Sequence, residues 1–144
     1  MTVVRFDYCS AEPIHDPAGA GEGFDRDTGL FLPHGGSGIT LWYGQAADPA
    51  GTHSVEQVAE LRVDIDSQQG RAALRWLPDG SHAIEFEPIG PIEVWESHDT
   101  AQVTIPADLA RVSAGTARAA VLEYVATNRR PTNAVWVAAG QPGQ

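Results

Sequence analysis

The run AELRVDID, residues 59–66, alternates without a break: Ala59, Leu61, Val63 and Ile65 against Glu60, Arg62, Asp64 and Asp66. A period of two is the mark of a strand with one buried and one polar face. Such a strand needs neighbours, and the next segment, RAALRWLPDGSHAIEFEP at 71–88, reads as a hairpin. A two-residue loop at Asp79-Gly80 would set Leu74 opposite Glu85 and bury a carboxylate. A three-residue loop, Pro78-Asp79-Gly80, instead pairs Leu74 with Ile84, Ala72 with Phe86 and Trp76 with His82, with Gly80 in the left-handed region. Because a one-residue slip turns a whole set of side chains to the wrong face, the three-residue loop is the one predicted. It leaves Arg75, Glu85 and Glu87 on the opposite face.

Further strands are predicted at TVVRFDYC (2–9), ITLWYGQ (39–45), IEVWES (92–97), TAQVTIP (100–106) and Val135 to Val137, with a turn at Ser97-His98-Asp99 joining the 92–97 and 100–106 pair. Ser113 suits the N-cap of a helix running to about Asn128, where Ala114, Ala117, Val121, Tyr124 and Val125 form one stripe that covers a sheet face. The stretch from Glu12 to Gly38 is rich in Gly, Pro and Asp and reads as irregular. Residues 46–54 read as loop and 139–144 as a frayed tail. The fold class is therefore α+β. A mainly antiparallel sheet of about 5–7 strands carries one principal C-terminal helix, about 113–128, on one face. The 144 residues are expected to form a single domain, 1–144, with 1–38 partly irregular.

Charge narrows the function. The formal net charge is −10, and it is uneven: −7 over residues 1–60, −5 over 61–100 and +2 over 101–144. Binding of nucleic acid depends on a basic footprint, so an acidic body argues against direct nucleic-acid contact and favours a basic partner. No apolar run approaches the ~20 residues that span a bilayer, so no membrane partner is expected. The N-terminal stretch lacks the basic and long apolar regions of a secretory signal, and Cys9 is the only cysteine. Both features suit a reducing, cytoplasmic setting.

The chemistry-bearing residues form no enzymatic signature. His15, His34, His53, His82 and His98 include no metal-spaced pair, and no Cys-x-x-Cys accompanies them. FLPHGGSG at 31–38 lacks the Gly-Lys-Ser/Thr of a phosphate loop, and GGSGI fails G-x-S-x-G at its last position. The carboxylate pairs Asp64/Asp66 and Glu85/Glu87 share a face and fit acid–base or cation chemistry, but an exposed polar sheet face produces the same alternation. No catalytic residue, metal site or cofactor is assigned. An enzyme would need a pocket joining Ser37, a histidine and a carboxylate, or a carboxylate pair holding a metal. The run PIEVWESHD, 91–99, sets Trp95 among Glu93, Glu96 and Asp99. Trp95 and Glu93 fall opposite Ile92 and Val94. The indole is thus either an exposed anchor in an acidic surround or a side chain covered by the helix or by the Gly-rich segment.

In EYVATNRRPTNAVWV, 123–137, Arg129 and Arg130 follow the helix and precede Pro131. Cations there favour the helix C-terminus, Asn128 tolerates a left-handed cap and Pro131 cannot continue the helix. This stretch resembles the C-terminal signature of immunity-protein family 1 of bacterial polymorphic toxin systems, through Tyr124, Thr127, Arg130, Pro131, Thr132 and Trp136. GRAALRWLPDGSHAIEFEP resembles that family's central hairpin, and the likeness spans about residues 57–137. Asn128 stands where a glycine is common in the family, and residues 1–38 show no match.

The resemblance implies a non-enzymatic antidote that binds a cognate toxin domain in the producing cell's cytoplasm, commonly one of the deaminase superfamily. A toxin that handles nucleic acid presents a basic groove, which an acidic surface can occlude. Glu85, Glu87, Glu93, Trp95, Glu96 and Asp99 are the residues expected to face it, while Tyr124, Arg130, Pro131, Thr132 and Trp136 are expected to be structural. The alternative is an acidic binding protein for another partner, such as a nuclease-toxin immunity protein or an effector chaperone.

Overall fold

A computed structural model describes residues 2–6, 11–29, 38–46, 58–97 and 101–138. The alternating segment Ala59–Asp66 (β4) is the middle strand of the main sheet. Its inward residues Leu61, Val63 and Ile65 are 0–1 % exposed. On one side of β4 lie Gly38–Ala46 (β3), then Thr2–Phe6 (β1), then Ala11–Ile14 (β2) at one edge. On the other side lie Arg71–Trp76 (β5), Ser81–Ile84 (β6) and, at the opposite edge, Val135–Val137 (β10). Val112–Ser113 (β9) adds a short pairing to β5, making eight strands, all antiparallel to their neighbours. Ile92–Val94 (β7) and Val103–Ile105 (β8) form a separate two-stranded sheet. The fold is α+β with an antiparallel sheet, as the patterning predicts.

Two helices cover one face. Ala114–Thr127 (α2) has Ser113 as N-cap, its hydroxyl accepting from Thr116 N, and ends at Asn128 with φ 59°, the left-handed cap expected there. Ala117, Ala120, Val121 and Tyr124 are its buried residues. Pro17–Thr28 (α1) overturns the irregular reading of 12–38: β2 and α1 occupy 11–28, while residues 30–37 lie outside the described ones. Helix propensity in PAGAGEGFDRDT is poor, with three glycines. Tertiary burial decides instead: Ala20 and Phe24 enter the core at 2 % and 3 % exposure, and Asp16 caps the first turn by accepting from Gly19 N at 2.7 Å. Asp25 also pairs with Arg118 of α2. Among the described residues no helix is long and apolar enough to cross a membrane.

The β5–β6 turn also departs from expectation. Trp76 pairs with Ser81 and Arg75 with His82, so the loop is Leu77-Pro78-Asp79-Gly80, four residues rather than three. Gly80 does adopt positive φ (73°), and its N–H closes onto Trp76 O at 2.9 Å. The longer loop turns Ala83 and Ser81 toward Leu74 and Trp76, and sends Ile84 and His82 to the other face. That is affordable because the other face is not simply solvent. The β7–β8 hairpin lies across it and builds a second core from Ala73, Ile92, Val94, Ile105 and Ala110, with Val103 and Leu109 at its rim. The 92–97 strand ends earlier than predicted, at Val94, because Trp95 leaves β8 to bridge Ile39 of β3. The molecule is thus layered: helices, main sheet, small hairpin.

Candidate functional site

The acidic segment 85–96 links the two sheets. β6 stops at Ile84 because the next two amides, Glu85 and Phe86, both donate to Arg111 O, at 2.8 and 3.3 Å. Glu85 then turns toward the start of α2, where its carboxylate accepts from Ser113 N (2.7 Å) and Thr116 Oγ1 (2.8 Å). Partial burial pushes its pKa up, but these donors outweigh that and hold it below the ordinary carboxylate value. Glu85, expected to face a partner, is therefore committed to α2. Glu87 is not: its side chain is 89 % exposed, 3.9 Å from Arg111 Nη2. Arg71 donates to Gly90 O at 2.6 Å and Pro91 O at 3.3 Å, fixing the chain as it passes to β7.

Beside Glu87 lies a hollow of about 310 Å³ lined by Ile84, Phe86, Val135 and Arg111, with Glu85 and Glu87 around it. The Arg111 guanidinium is buried, and its Nε donates to Phe86 O at 2.8 Å. Val135 is 64 % exposed and Ile89 70 %. Aliphatic groups of this exposure next to a carboxylate rim are the composition of a binding surface. None of Ile84, Phe86, Ile89, Arg111 and Val135 stands out as a site residue in the sequence. The legible signal was Ile89 between Pro88 and Gly90, an apolar side chain in a segment built to turn.

The other expected contacts divide. Glu93 points outward from β7, and Thr104 Oγ1 donates to its carboxylate at 2.8–2.9 Å. Trp95 is a correction to the exposed-anchor alternative. It is half-buried against the main core, its N–H donating to Gly38 O (2.9 Å) and its carbonyl accepting from Thr40 N (3.2 Å). Its backbone is held by the start of β3, where Gly38 is the last residue of the Gly-rich segment. Glu96 is likewise drawn inward: Arg62 Nη2 donates to it at 2.9 Å, while the same guanidinium sits 5.3 Å from the centre of the Trp42 ring. Asp99 lies outside the described residues. Glu85, Glu87 and Glu93 stay exposed among the expected contacts, Glu85 with both carboxylate oxygens engaged by Ser113 and Thr116.

Beneath this surface sits Asp64, wholly buried. It accepts from Arg62 (3.0 Å), Arg75 (2.9 Å) and Thr40 Oγ1 (2.7 Å). The alternation in 59–66 had placed Asp64 on an exposed polar face; the β7–β8 layer covers that face, and paired charges make the burial tolerable.

The residues of the 123–137 signature are joined to the body of the protein by internal bonds. Tyr124 donates to Glu60 at 2.6 Å and meets Trp76 edge-on, with ring centroids 5.8 Å apart. Burial, then the Glu60 contact, pushes its phenol pKa up. Arg130 reaches Asp79 and Ser81 in the β5–β6 turn at 3.3 Å and lies 5.4 Å from the Trp136 ring centre. It is a clasp between that turn and β10 rather than a partner of the last helix carbonyls. Trp136 Nε1 donates to Pro131 O (2.7 Å), and Thr132 donates to Glu123 through N and Oγ1 (2.7 and 2.8 Å). No protein-family model matches the chain, and neither does any curated protein.

Acid is expected to weaken the fold in two stages. Burial, then the charge of Arg111, lowers the pKa of His82, with Asp108 opposing and Arg75 adding to the effect. A group with a depressed folded pKa contributes stability above its unfolded value and loses it as pH falls, because the unfolded chain binds the proton more readily. For His82 that loss begins near 6.5 and for Glu85 near 4.5. Urea midpoints should therefore drop between about pH 7 and pH 5, and His82→Gln should flatten that first drop while leaving the second. An equal drop in the variant would remove His82 from the account.

Proposed function

We propose that this chain is an immunity protein: it binds a cognate toxin domain in the producing cell's cytoplasm and blocks it by occupying a basic active-site groove. The observation that carries the reading is the hollow at Ile84, Phe86 and Val135 with the exposed Glu87 on its rim, on a protein of net charge −10. An apolar centre supplies the surface that gains from leaving water, and an acidic surround steers in a cationic partner and excludes others. The resemblance of the 123–137 stretch supplies the class of partner, a nucleic-acid deaminase, and the acid surface fits a protein that itself binds phosphates.

The test is to co-express this chain with a candidate cognate deaminase-toxin domain and assay deaminase activity in the purified complex. Loss of activity is expected; a complex that stays active would make this chain a chaperone. Affinity should fall as salt rises, and Glu87→Arg with Glu93→Arg should weaken it at least about tenfold, since rim charges act on encounter and register. Glu96 is left intact in that variant because it holds Arg62. Insensitivity to salt and to both reversals would sink the electrostatic part of the proposal.

A further inference from the structure

The two edges of the main sheet are finished differently. β2 carries Pro13, which has no N–H to offer a further strand, and Glu12, which is bridged to Arg26 at 2.8 Å. Both features blunt an edge. β10 has neither: its residues, Val135, Trp136 and Val137, are all apolar. Among the described residues no strand pairs with β10 on the side away from β6. It is also pinned from behind, because Trp136 is tied to Pro131 and lies under Arg130. A strand already held in place loses little further freedom when a partner pairs with it.

The hollow opens beside this edge. Val135 is one wall, and Ile84, its ladder partner, is another. A segment laid along β10 would bond to the strand through its backbone, and every second side chain would point to the hollow's face. A volume of about 310 Å³ floored by Ile84 and Phe86 suits a branched aliphatic or aromatic side chain. The next side chain on that face would meet Glu87, which suits arginine or lysine. A second copy of this chain offers no such cation in β10 and brings another net charge of −10, so like-charge repulsion disfavours it.

Resting on the reading above that the partner is a basic protein, we propose that it docks by strand addition: an extended segment that carries an apolar residue and, two positions along, an arginine or lysine joins the sheet at β10. Two probes test this. The first is hydrogen exchange in the complex with the cognate toxin domain, where the amides of 135–137 that point away from β6 should slow at least about tenfold. The second is a capped peptide with valine and arginine two positions apart and threonine at the positions between and around them, which should shift the amide resonances of 84–87 and 135–137. The same peptide with every backbone amide methylated, unable to donate along either edge, should not.

Val135→Lys places a like charge on the edge at an exposed site and should weaken both ligands at least about tenfold, while Val135→Thr should retain them. An unchanged thermal midpoint for Val135→Lys would show that the loss is not one of folding. A toxin that is neutralised while amides 135–137 exchange at the free rate would overturn strand addition and leave the immunity reading standing. Equal binding of the methylated peptide would also overturn it. So would slowing of those amides with rising protein concentration alone, which would assign the edge to a second copy. Strand addition by the peptide without neutralisation of the toxin would instead overturn the immunity reading alone.

Discussion

Asp64→Ala is expected to cost the fold about 3–5 kcal/mol, the range for removing one partner of a buried ion pair. Asp64 has no exposure and holds two guanidiniums, Arg62 at 3.0 Å and Arg75 at 2.9 Å, together with the Thr40 hydroxyl. Alanine would leave Arg75 without its carboxylate and Arg62 with Glu96 alone, two cations close together beneath the β7–β8 hairpin. Arg62 and Arg75 are 15 % and 27 % exposed, so water can reach them in part, which places the effect toward the lower end of the range. Asp64→Asn keeps the size and an oxygen for Thr40 but removes the charge, and isolates the electrostatic share. The measurement is the urea midpoint at constant slope. An asparagine variant as stable as the parent would show that the charge contributes nothing and that shape alone matters.

Gly38→Ala is expected to be about as damaging, roughly 3 kcal/mol, at the upper end of the overpacking range. A Cβ at Gly38 would stand 1.8 Å from Glu93 O and 2.9 Å from Glu93 C. Those are backbone atoms of β7, which have no rotamer with which to move aside, so the hairpin itself must lift. Lifting it strains the Trp95 N–H bond to Gly38 O and the Thr40 N–H bond to Trp95 O, and wets Ile92, Val94 and Ile105. Hydrogen exchange should therefore rise at 92–94 and 103–105 before it rises in β4 or β5. Lifting the hairpin also uncovers Asp64, so the double variant with Asp64→Ala should cost less than the sum of the two singles. Full additivity would show that the hairpin is not what keeps Asp64 dry.

The parts of the fold legible in the sequence are those where a single rule acts alone. β4 shows an uninterrupted period of two, and α2 shows Ser113, an apolar stripe and Asn128 in order. Their limits in the structure differ from the expected ones by no more than a residue. α1 was hidden because glycine and aspartate carry the signals of a loop, and its only local helix signal is Asp16-Pro17, a cap followed by proline at the first turn. The hairpin register went astray for a related reason. Matching Leu74 with Ile84 assumes one buried face, but Ile84 belongs to the second face and Ala83 to the first. The same layer withdrew Asp64, Trp95 and Glu96 from solvent. Charge patterning along a strand shows that two faces differ; it does not show that something will be laid over the polar one. Of the expected partner contacts, Glu87 and Glu93 point outward, and the apolar half of the hollow came from residues far apart in the chain.

That separation has a consequence during synthesis. The floor of the hollow is made with β6, its cation with Arg111 and its wall only with Val135, after α2 has been translated; the clasp of Arg130 on Trp136 follows one residue later. A nascent chain halted before residue 135 carries most of the sheet yet presents no finished recess. Under the proposed immunity function, protection that depends on this recess would wait for β10 to emerge from the ribosome, well after β6 has done so.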